Sequence, residues 1–267
     1  MTSNNLSTMA EDWFDQYLVE RGYTWQVEPD VGLLGRIKNP DRLVSAHGFE
    51  VVCEVKSFNT PGLFADAEFR RSEDGNRVAG PKSRSMKDAL KPLRSQIKQA
   101  AAQLKAAQSL GHPLMVVMAN PMNCPVPSDD MSLMAAMYGD HELHGTLDPD
   151  TGEIAEWTMT LGRNGKLTMD HPYVSAVAWL HHQDRAVAWY GVWMDENRAQ
   201  YGDDVAGWLE AMRAVEHEAP TGSDVWLTIV ETVSESAVPL PRDVFDGPRD
   251  VRYVPTPDRT GLTLYQH

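Results

Sequence analysis

In residues 9–21, apolar residues recur every three or four positions, which places them on one face of an amphipathic helix. Thr8 and Glu11 have the spacing of a capping box and therefore predict that the helix begins at this point. Gly22 follows the last periodic residue and is a natural stop for the helix.

Three segments with the composition of β-strands come next, at residues 23–27, 42–46 and 49–58. Only His47-Gly48 separates the second segment from the third, which predicts a two-residue turn and hence a β-hairpin. The third segment, FEVVCEVKSF, is rich in valine and phenylalanine, which favour strands.

The strongest helical pattern in the chain covers residues 87–110 and ends at Gly111. It follows residues 59–86, which hold few apolar residues and many Gly, Pro and charged residues. These residues predict a long irregular excursion, a feature that is often functional in a compact domain. The apolar run at residues 114–119 predicts a buried strand.

These elements run α-β-β-β-α-β over residues 1–119, which predicts an α/β fold with a three-layer α-β-α core. Residues 120–267 are expected to extend the sheet and to add an accessory α+β subdomain, with no sharp boundary between the two parts. Their patterns predict helices at 128–138 and 205–214, and strands at 153–161, 166–169, 173–180 and 225–233.

The 267-residue chain is 42% hydrophobic, enough for a substantial core, and its 38 acidic and 24 basic residues give a net charge of −14. Such a protein is not expected to coat nucleic acid, because coating requires the neutralisation of phosphates. Residues 68–105 differ, since they hold ten basic and four acidic residues. They predict either a solvated helix face or a local phosphate-binding patch, whose candidate residues are Arg84, Lys87, Lys91, Arg94 and Lys98.

Cys53 and Cys124 form neither a disulfide framework nor a zinc-binding spacing. The first residues lack the basic flank and apolar region of a signal peptide. No apolar run approaches the roughly 18 residues that span a bilayer. We therefore expect a cytoplasmic protein that does not associate with membranes.

The candidate chemistry lies in the predicted hairpin. Asp41 starts its first strand after a proline, and Glu54 and Lys56 lie in its second strand. Glu54 and Lys56 point the same way, because alternate residues of a strand share a face. Strand pairing would bring Asp41 near Glu54, and two carboxylates at one place form the hard-oxygen site that Mg²⁺ prefers.

This combination of a Pro-Asp pair, a tight turn, a Glu-x-Lys strand and a glutamine-bearing helix resembles the PD-(D/E)XK nuclease superfamily, which has the restriction-endonuclease-like fold. The matching segments are NPDRLV at 39–44, VVCEVKS at 51–57 and RSQIKQAAAQL at 94–104. The resemblance covers roughly residues 9–119. It implies a Mg²⁺-dependent nuclease, with Mn²⁺ as a substitute, that hydrolyses phosphodiester bonds of DNA through a metal-activated water.

By this resemblance, Asp41, Glu54 and the main-chain carbonyl of Val55 bind the metal, and Lys56 orients or activates the attacking water. A positive charge at Lys56 would also stabilise the negative charge that develops on the phosphate. Asp30, which likewise follows a proline, is a rival for the position of Asp41.

Two further catalytic assignments rest on the same resemblance. Many members of the superfamily add a glutamate from the first helix, here Glu11, and several add a glutamine from the later helix, here Gln96. The alternative for Glu11 is that it only closes the capping box with Thr8. The alternative for Gln96 is that it belongs, with Gln99 and Gln103, to a solvated stripe beside the buried face of the helix.

Two other functions stay open at this point. One is a nuclease-like fold that binds nucleic acid or protein without cutting, which the acidic net charge favours. The other is a metallohydrolase built on His171, His181 and His182, although surface histidines are the better explanation of these residues. DNA is the expected partner, with RNA as the alternative. A homodimer is a further expectation, because many such nucleases cut both strands as dimers.

Overall fold

The computed structural model describes residues 3–30, 39–58, 70–71, 77–78, 85–124, 126–148, 150–168, 170–201 and 204–265. The helices are α1 (Ser3–Glu20), α2 (Met86–Ala89), α3 (Lys91–Leu104), α4 (Asp130–Tyr138), α5 (Arg185–Tyr201) and α6 (Val205–Ala214), with 3₁₀ turns at Lys105–Leu110 and Glu216–Glu218. The strands are β1 (Thr24–Val27), β2 (Arg42–Ala46), β3 (Phe49–Ser57), β4 (Arg70–Arg71), β5 (Arg77–Val78), β6 (Leu114–Ala119), β7 (His141–Leu147), β8 (Ile154–Leu161), β9 (Ala176–Asp184), β10 (Ser223–Glu231), β11 (Val251–Pro255) and β12 (Leu262–Tyr265).

One mixed sheet holds eight strands in the order β1-β2-β3-β6-β9-β10-β11-β12. The strands β1, β2 and β3 are antiparallel neighbours, whereas β6 runs parallel to both β3 and β9. At the other edge, β11 is parallel to β10 and antiparallel to β12. The pairs β4-β5 and β7-β8 form two small separate sheets.

The hairpin between β2 and β3 forms as the sequence predicts. His47 and Gly48 have φ angles of 50° and 84°. Two consecutive positive φ angles are the mark of a type I′ turn, whose twist matches that of the flanking strands. The turn fixes the register, in which Arg42 lies opposite Cys53 and Leu43 lies opposite Val52.

Helices α1 and α3 both contact β3 and pack on opposite faces of the sheet. On one face, Leu93 and Ile97 of α3 join Val52 of β3 in the main apolar core. On the other face, Arg42 of β2 reaches Asp15 of α1. This helix-sheet-helix arrangement confirms the predicted α/β class. The elements α1, β1, β2, β3, α3 and β6 follow the predicted order, but β4, β5 and α2 lie between β3 and α3.

Two local predictions are wrong. Helix α1 begins at Ser3, so Thr8 lies inside the helix and does not cap its start. Residues 166–168 form turns instead of the predicted strand. The amides of Lys166 and Leu167 donate to the carbonyls of Ala136 and Met137, so the end of α4 takes the hydrogen bonds that a strand would need.

Several elements were not predicted, among them β7, α5, β11 and β12. Helix α5 has no buried residue among those described, so its apolar residues do not follow the spacing of a core-facing helix. The strands β11 and β12 lie in a tail with many prolines, which hides a strand pattern. Short strands β4 and β5 lie within the predicted irregular excursion.

The chain divides into two compact units, one of Met1–Leu180 with Leu227–His267 and one of His181–Trp226. In the first unit the sheet continues beyond residue 119. The second unit contains α5 and α6, with the rings of Trp193 and Trp208 at 5.9 Å. Among the described residues, no helix combines the length and the apolar character needed to cross a membrane.

We expect Ile97→Ala to lower the free energy of unfolding by about 2–5 kcal/mol, because Ile97 is fully buried and its removal leaves a cavity. Urea unfolding followed by circular dichroism measures the change. Gln99→Ala on the exposed side of the same helix is the control and should change stability by less than about 0.5 kcal/mol. Equal effects of the two variants would contradict the packing of α3 on the sheet.

Candidate nuclease site

Strand pairing brings Asp41 and Glu54 to the same place on the same face of the sheet. Asp41 precedes Arg42 and Glu54 follows Cys53, and these two inner residues are paired across the hairpin. Leu43, two residues after Asp41, packs against the core on the α3 side. Because alternate strand residues share a face, Asp41 lies on that side as well.

Asp41 is held in place by the neighbouring strand. Its side chain is 2% exposed, and its Oδ2 accepts a hydrogen bond of 2.9 Å from the amide of Val55. Val55 is the residue between Glu54 and Lys56, so this bond ties the aspartate directly to the Glu-x-Lys segment. The hydrogen bond also supplies part of the compensation that a buried carboxylate requires.

Glu54, Lys56 and Gln103 form the centre of the site. Glu54 is fully buried, and its Oε1 lies 2.5 Å from Nζ of Lys56. The same ammonium donates to Oε1 of Gln103 on α3, also at 2.5 Å. The lysine thus compensates the buried carboxylate, and the glutamine holds the lysine against the sheet.

The glutamine in contact with Lys56 is therefore Gln103, which the superfamily resemblance did not select. Gln96 instead donates to the carbonyl of Ser57 at 3.2 Å, one residue beyond Lys56. The signal for Gln103 was present in the sequence, since Gln96, Gln99 and Gln103 recur at helical spacing. The pattern could not tell which of the three would meet the lysine.

Glu11 lies on the α1 side of the sheet and forms an ion pair of 3.2 Å with Arg42. Asp15 of the same helix holds the guanidinium of Arg42 with two bonds, of 2.7 and 3.0 Å. Arg42 in turn donates to the main-chain carbonyl of Asp41 at 2.7 Å. Glu11 therefore lies on the face opposite Asp41, Glu54 and Lys56, and it is linked to Asp41 through Arg42.

Arg42 is a buried cation that pairs with the carboxylates of Asp15 and Glu11. Burial lowers the pKa of Arg42, but the hydrogen bonds and charges of Asp15 and Glu11 outweigh this effect, so that its pKa is raised. The α1 face of the hairpin therefore carries a second ionic cluster that supports the backbone at Asp41. Sequence analysis missed both Arg42 and Asp15.

The donor set suits a hard divalent cation. Asp41 and Glu54 supply carboxylate oxygens and Val55 supplies a main-chain carbonyl, which are ligand types that Mg²⁺ takes together with water and a substrate phosphate. The described part of the chain holds no group of three or more His, Cys, Asp or Glu side chains arranged for a metal. A magnesium ion here would depend on this pair of carboxylates and on oxygens from outside the side chains.

The predicted phosphate-binding residues have different environments. Lys87, Lys91 and Lys98 are exposed. Arg94 is only 6% exposed, pairs with Asp140 and donates to the carbonyl of Ala135 at 3.2 Å. The last candidate, Arg84, lies outside the described residues.

The alternative based on histidine gains no support, and Cys53 has the surroundings of a core residue. Cys53 is completely buried on the face opposite Glu54, and burial raises the pKa of its thiol, as expected for a core residue. The ring of His181 stacks on Trp226 at 4.8 Å, and Nδ1 of His171 lies 3.2 Å from the hydroxyl of Tyr173. Asp30 is exposed, unlike its rival Asp41.

Comparison of the chain with protein-family models, with curated proteins and with solved structures yields no match in any of the three. The function of the protein must therefore be inferred from the geometry of its residues.

We expect Asp15→Asn to lower the free energy of unfolding by about 1–3 kcal/mol, because it leaves the buried guanidinium of Arg42 without its two-bond partner. Glu11→Gln should have a smaller effect, since the contact of Glu11 with Arg42 is longer, at 3.2 Å. Urea unfolding of both variants at one ionic strength measures the difference. A larger loss for Glu11→Gln would contradict this account of the cluster.

Proposed function

We propose that the protein is a Mg²⁺-dependent nuclease of the PD-(D/E)XK type, with a restriction-endonuclease-like core, that hydrolyses phosphodiester bonds of DNA. The observation that supports this most is the convergence of Asp41, Glu54 and Lys56 on one face of the β2–β3 hairpin. An ammonium and two carboxylates on apolar strands are unfavourable to bury. Their presence in the interior therefore favours a catalytic use of the charges.

Asp41, Glu54 and the carbonyl of Val55 are the residues that would hold the metal. When bound, Mg²⁺ supplies Lewis acidity toward the phosphate and lowers the pKa of a water molecule. The protein's own contribution is to hold the two carboxylates in place, Asp41 through the amide of Val55 and Glu54 through Lys56.

Lys56 provides a positive charge beside the carboxylates. In the proposed reaction this charge stabilises the negative charge that builds up on the phosphate as the attacking oxygen approaches. Gln103 accepts a hydrogen bond from the same ammonium. It therefore acts as a positioning residue that limits where the lysine can point.

We expect Asp41→Asn, Glu54→Gln and Lys56→Met each to reduce Mg²⁺-dependent cleavage of supercoiled plasmid by about 100-fold or more, since each removes a charge from the reacting centre. The measurement is the rate of plasmid nicking at about 5–10 mM Mg²⁺, a concentration that saturates a site of weak Mg²⁺ affinity. A parallel reaction with EDTA gives the rate without the metal. Isothermal titration with Mg²⁺ and Mn²⁺ should show weakened binding in the two carboxylate variants.

Glu50→Gln is the matched control for Glu54→Gln. Glu50 lies on the same strand and the same face, but its side chain is 44% exposed and contacts His112 at 3.1 Å. Cleavage should be unchanged in this variant. Metal binding that depends on Asp41 and Glu54, in a protein that cuts neither DNA nor RNA, would support the non-cutting binding function and contradict the proposed nuclease.

We expect Gln103→Ala to slow cleavage by about tenfold without changing the Mg²⁺ concentration needed for half-maximal rate, because Gln103 contacts the lysine and not a metal-binding carboxylate. Gln99→Ala, four residues away on the exposed side, should leave the rate unchanged. A raised Mg²⁺ requirement in Gln103→Ala would show that Gln103 acts on the carboxylates instead. Because Gln96 contacts the strand backbone, Gln96→Ala provides a comparison for the loss of a different polar contact on the same helix.

A further inference from the structure

A groove of about 460 Å³ lies along α3, lined partly by α2 and by residues that follow β8. We call it the α3 groove. Its lining contains a single acid, Asp88, and two neutral hydrogen-bonding side chains, Ser95 and Asn164. Its five cations are Lys87, Lys91, Arg94, Lys98 and Lys166. Arg94 is buried and pairs with Asp140, and Lys166 pairs with Asp170 at 3.4 Å. The exposed cations are Lys87, Lys91 and Lys98, which form a positive surface on a protein whose net charge is −14.

Arg94 belongs to the lining of the α3 groove and is itself buried. Asp140 pairs with its guanidinium, and Asn164 in turn donates to Asp140 at 2.5 Å. The Nε of Arg94 is buried and has no hydrogen-bond partner among the residues that the structure describes. A buried donor without a partner is uncommon in folded proteins and calls for an acceptor.

Two lysines of the groove, Lys98 and Lys166, act electrostatically on His171. The pKa of His171 is lowered, first by burial and then by the charges of Lys166, Lys98 and Lys105, against the opposing effect of Asp170. The lysines that line the groove from α3 and from the segment after β8 therefore act on the same ring.

The α3 groove and the nuclease site lie on different sides of α3. Lys91 precedes Gln96 by five residues, and Lys98 precedes Gln103 by five residues. Five residues of an α-helix correspond to a rotation of about 140°. The glutamines meet β3 near Lys56, so the lysines of the same helix point well away from that site.

We propose that the α3 groove binds phosphate groups of a nucleic-acid backbone and anchors the nucleic acid at a distance from the nuclease site. The spacing of the cations fits a polyphosphate chain. Lys91 and Lys98 are seven residues apart, about 10.5 Å along the helix. One strand of DNA advances that distance in about three phosphates. The identity of the ligand as nucleic acid depends on the proposed function, whereas the phosphate chemistry follows from the groove itself.

The test compares two double variants that remove the same amount of charge. Lys91→Gln/Lys98→Gln removes two cations from the α3 groove. Arg198→Gln/Arg213→Gln removes two exposed arginines from the unit of His181–Trp226. Binding of a fluorescein-labelled duplex of about 20 base pairs is measured by anisotropy over a range of salt concentrations. EDTA is present throughout, so that binding is observed without cleavage.

We expect the groove variant to lose about tenfold in affinity and its log–log salt slope to fall by about two, because two phosphate contacts are lost. The arginine variant should bind as the wild type does. Unchanged binding in the groove variant, or an equal loss in both variants, would overturn the proposal. Failure of the nuclease proposal would appear separately, as absent Mg²⁺-dependent cleavage in a protein that still binds the duplex through the groove.

Two competitors identify the source of the phosphate. If inorganic phosphate shifts the NMR signals of His171 and the duplex displaces it, both ligands bind at one phosphate site. That result supports the nucleic-acid backbone as the ligand of the groove. Inorganic phosphate that binds while the duplex does not would overturn the assignment to nucleic acid. Polyglutamate that displaces the duplex as effectively as unlabelled DNA would overturn it in favour of an acidic protein.

Discussion

The compensation of charge on one face of the β2–β3 hairpin is the constraint on which the rest of the structure depends. Glu54 is fully buried in an apolar strand, where an unpaired carboxylate would be strongly destabilising. Lys56 of the same strand donates a hydrogen bond to Glu54, and it donates another to Gln103 of α3. The packing of α3 on the sheet is therefore linked to the charges that the proposed reaction requires.

The two faces of the hairpin carry different sets of charged side chains. On the α3 face, Asp41 and Glu54 place two carboxylates where a cation and a phosphate could meet them. On the α1 face, Arg42 binds Asp15 and Glu11 and also supports the carbonyl of Asp41. The alternation of a β-strand makes this possible, because consecutive residues point to opposite layers. A single hairpin thus carries both the site and the contacts that keep its backbone in place.

Helix α3 has a comparable division of roles around its axis. One stripe packs into the apolar core, a second presents glutamines toward β3, and a third lines the α3 groove with basic residues. Binding of nucleic acid and cleavage at the hairpin would then be separate properties of one helix. This arrangement also reconciles a net charge of −14 with a nucleic-acid substrate, since the positive charge is concentrated where the backbone would lie.

The sequence by itself determined the hairpin, its buried Glu-x-Lys strand and the amphipathic helix that follows, because turn chemistry and periodicity are local properties. It also located Asp41, Glu54 and Lys56, since hairpin pairing converts sequence spacing into proximity. The tertiary structure alone decided that Gln103 meets Lys56, that Glu11 pairs with Arg42, and that Lys166 joins the lysines of α3. These contacts join residues far apart in the chain, and they depend on the position and rotation of each helix against the sheet, which local patterns do not specify.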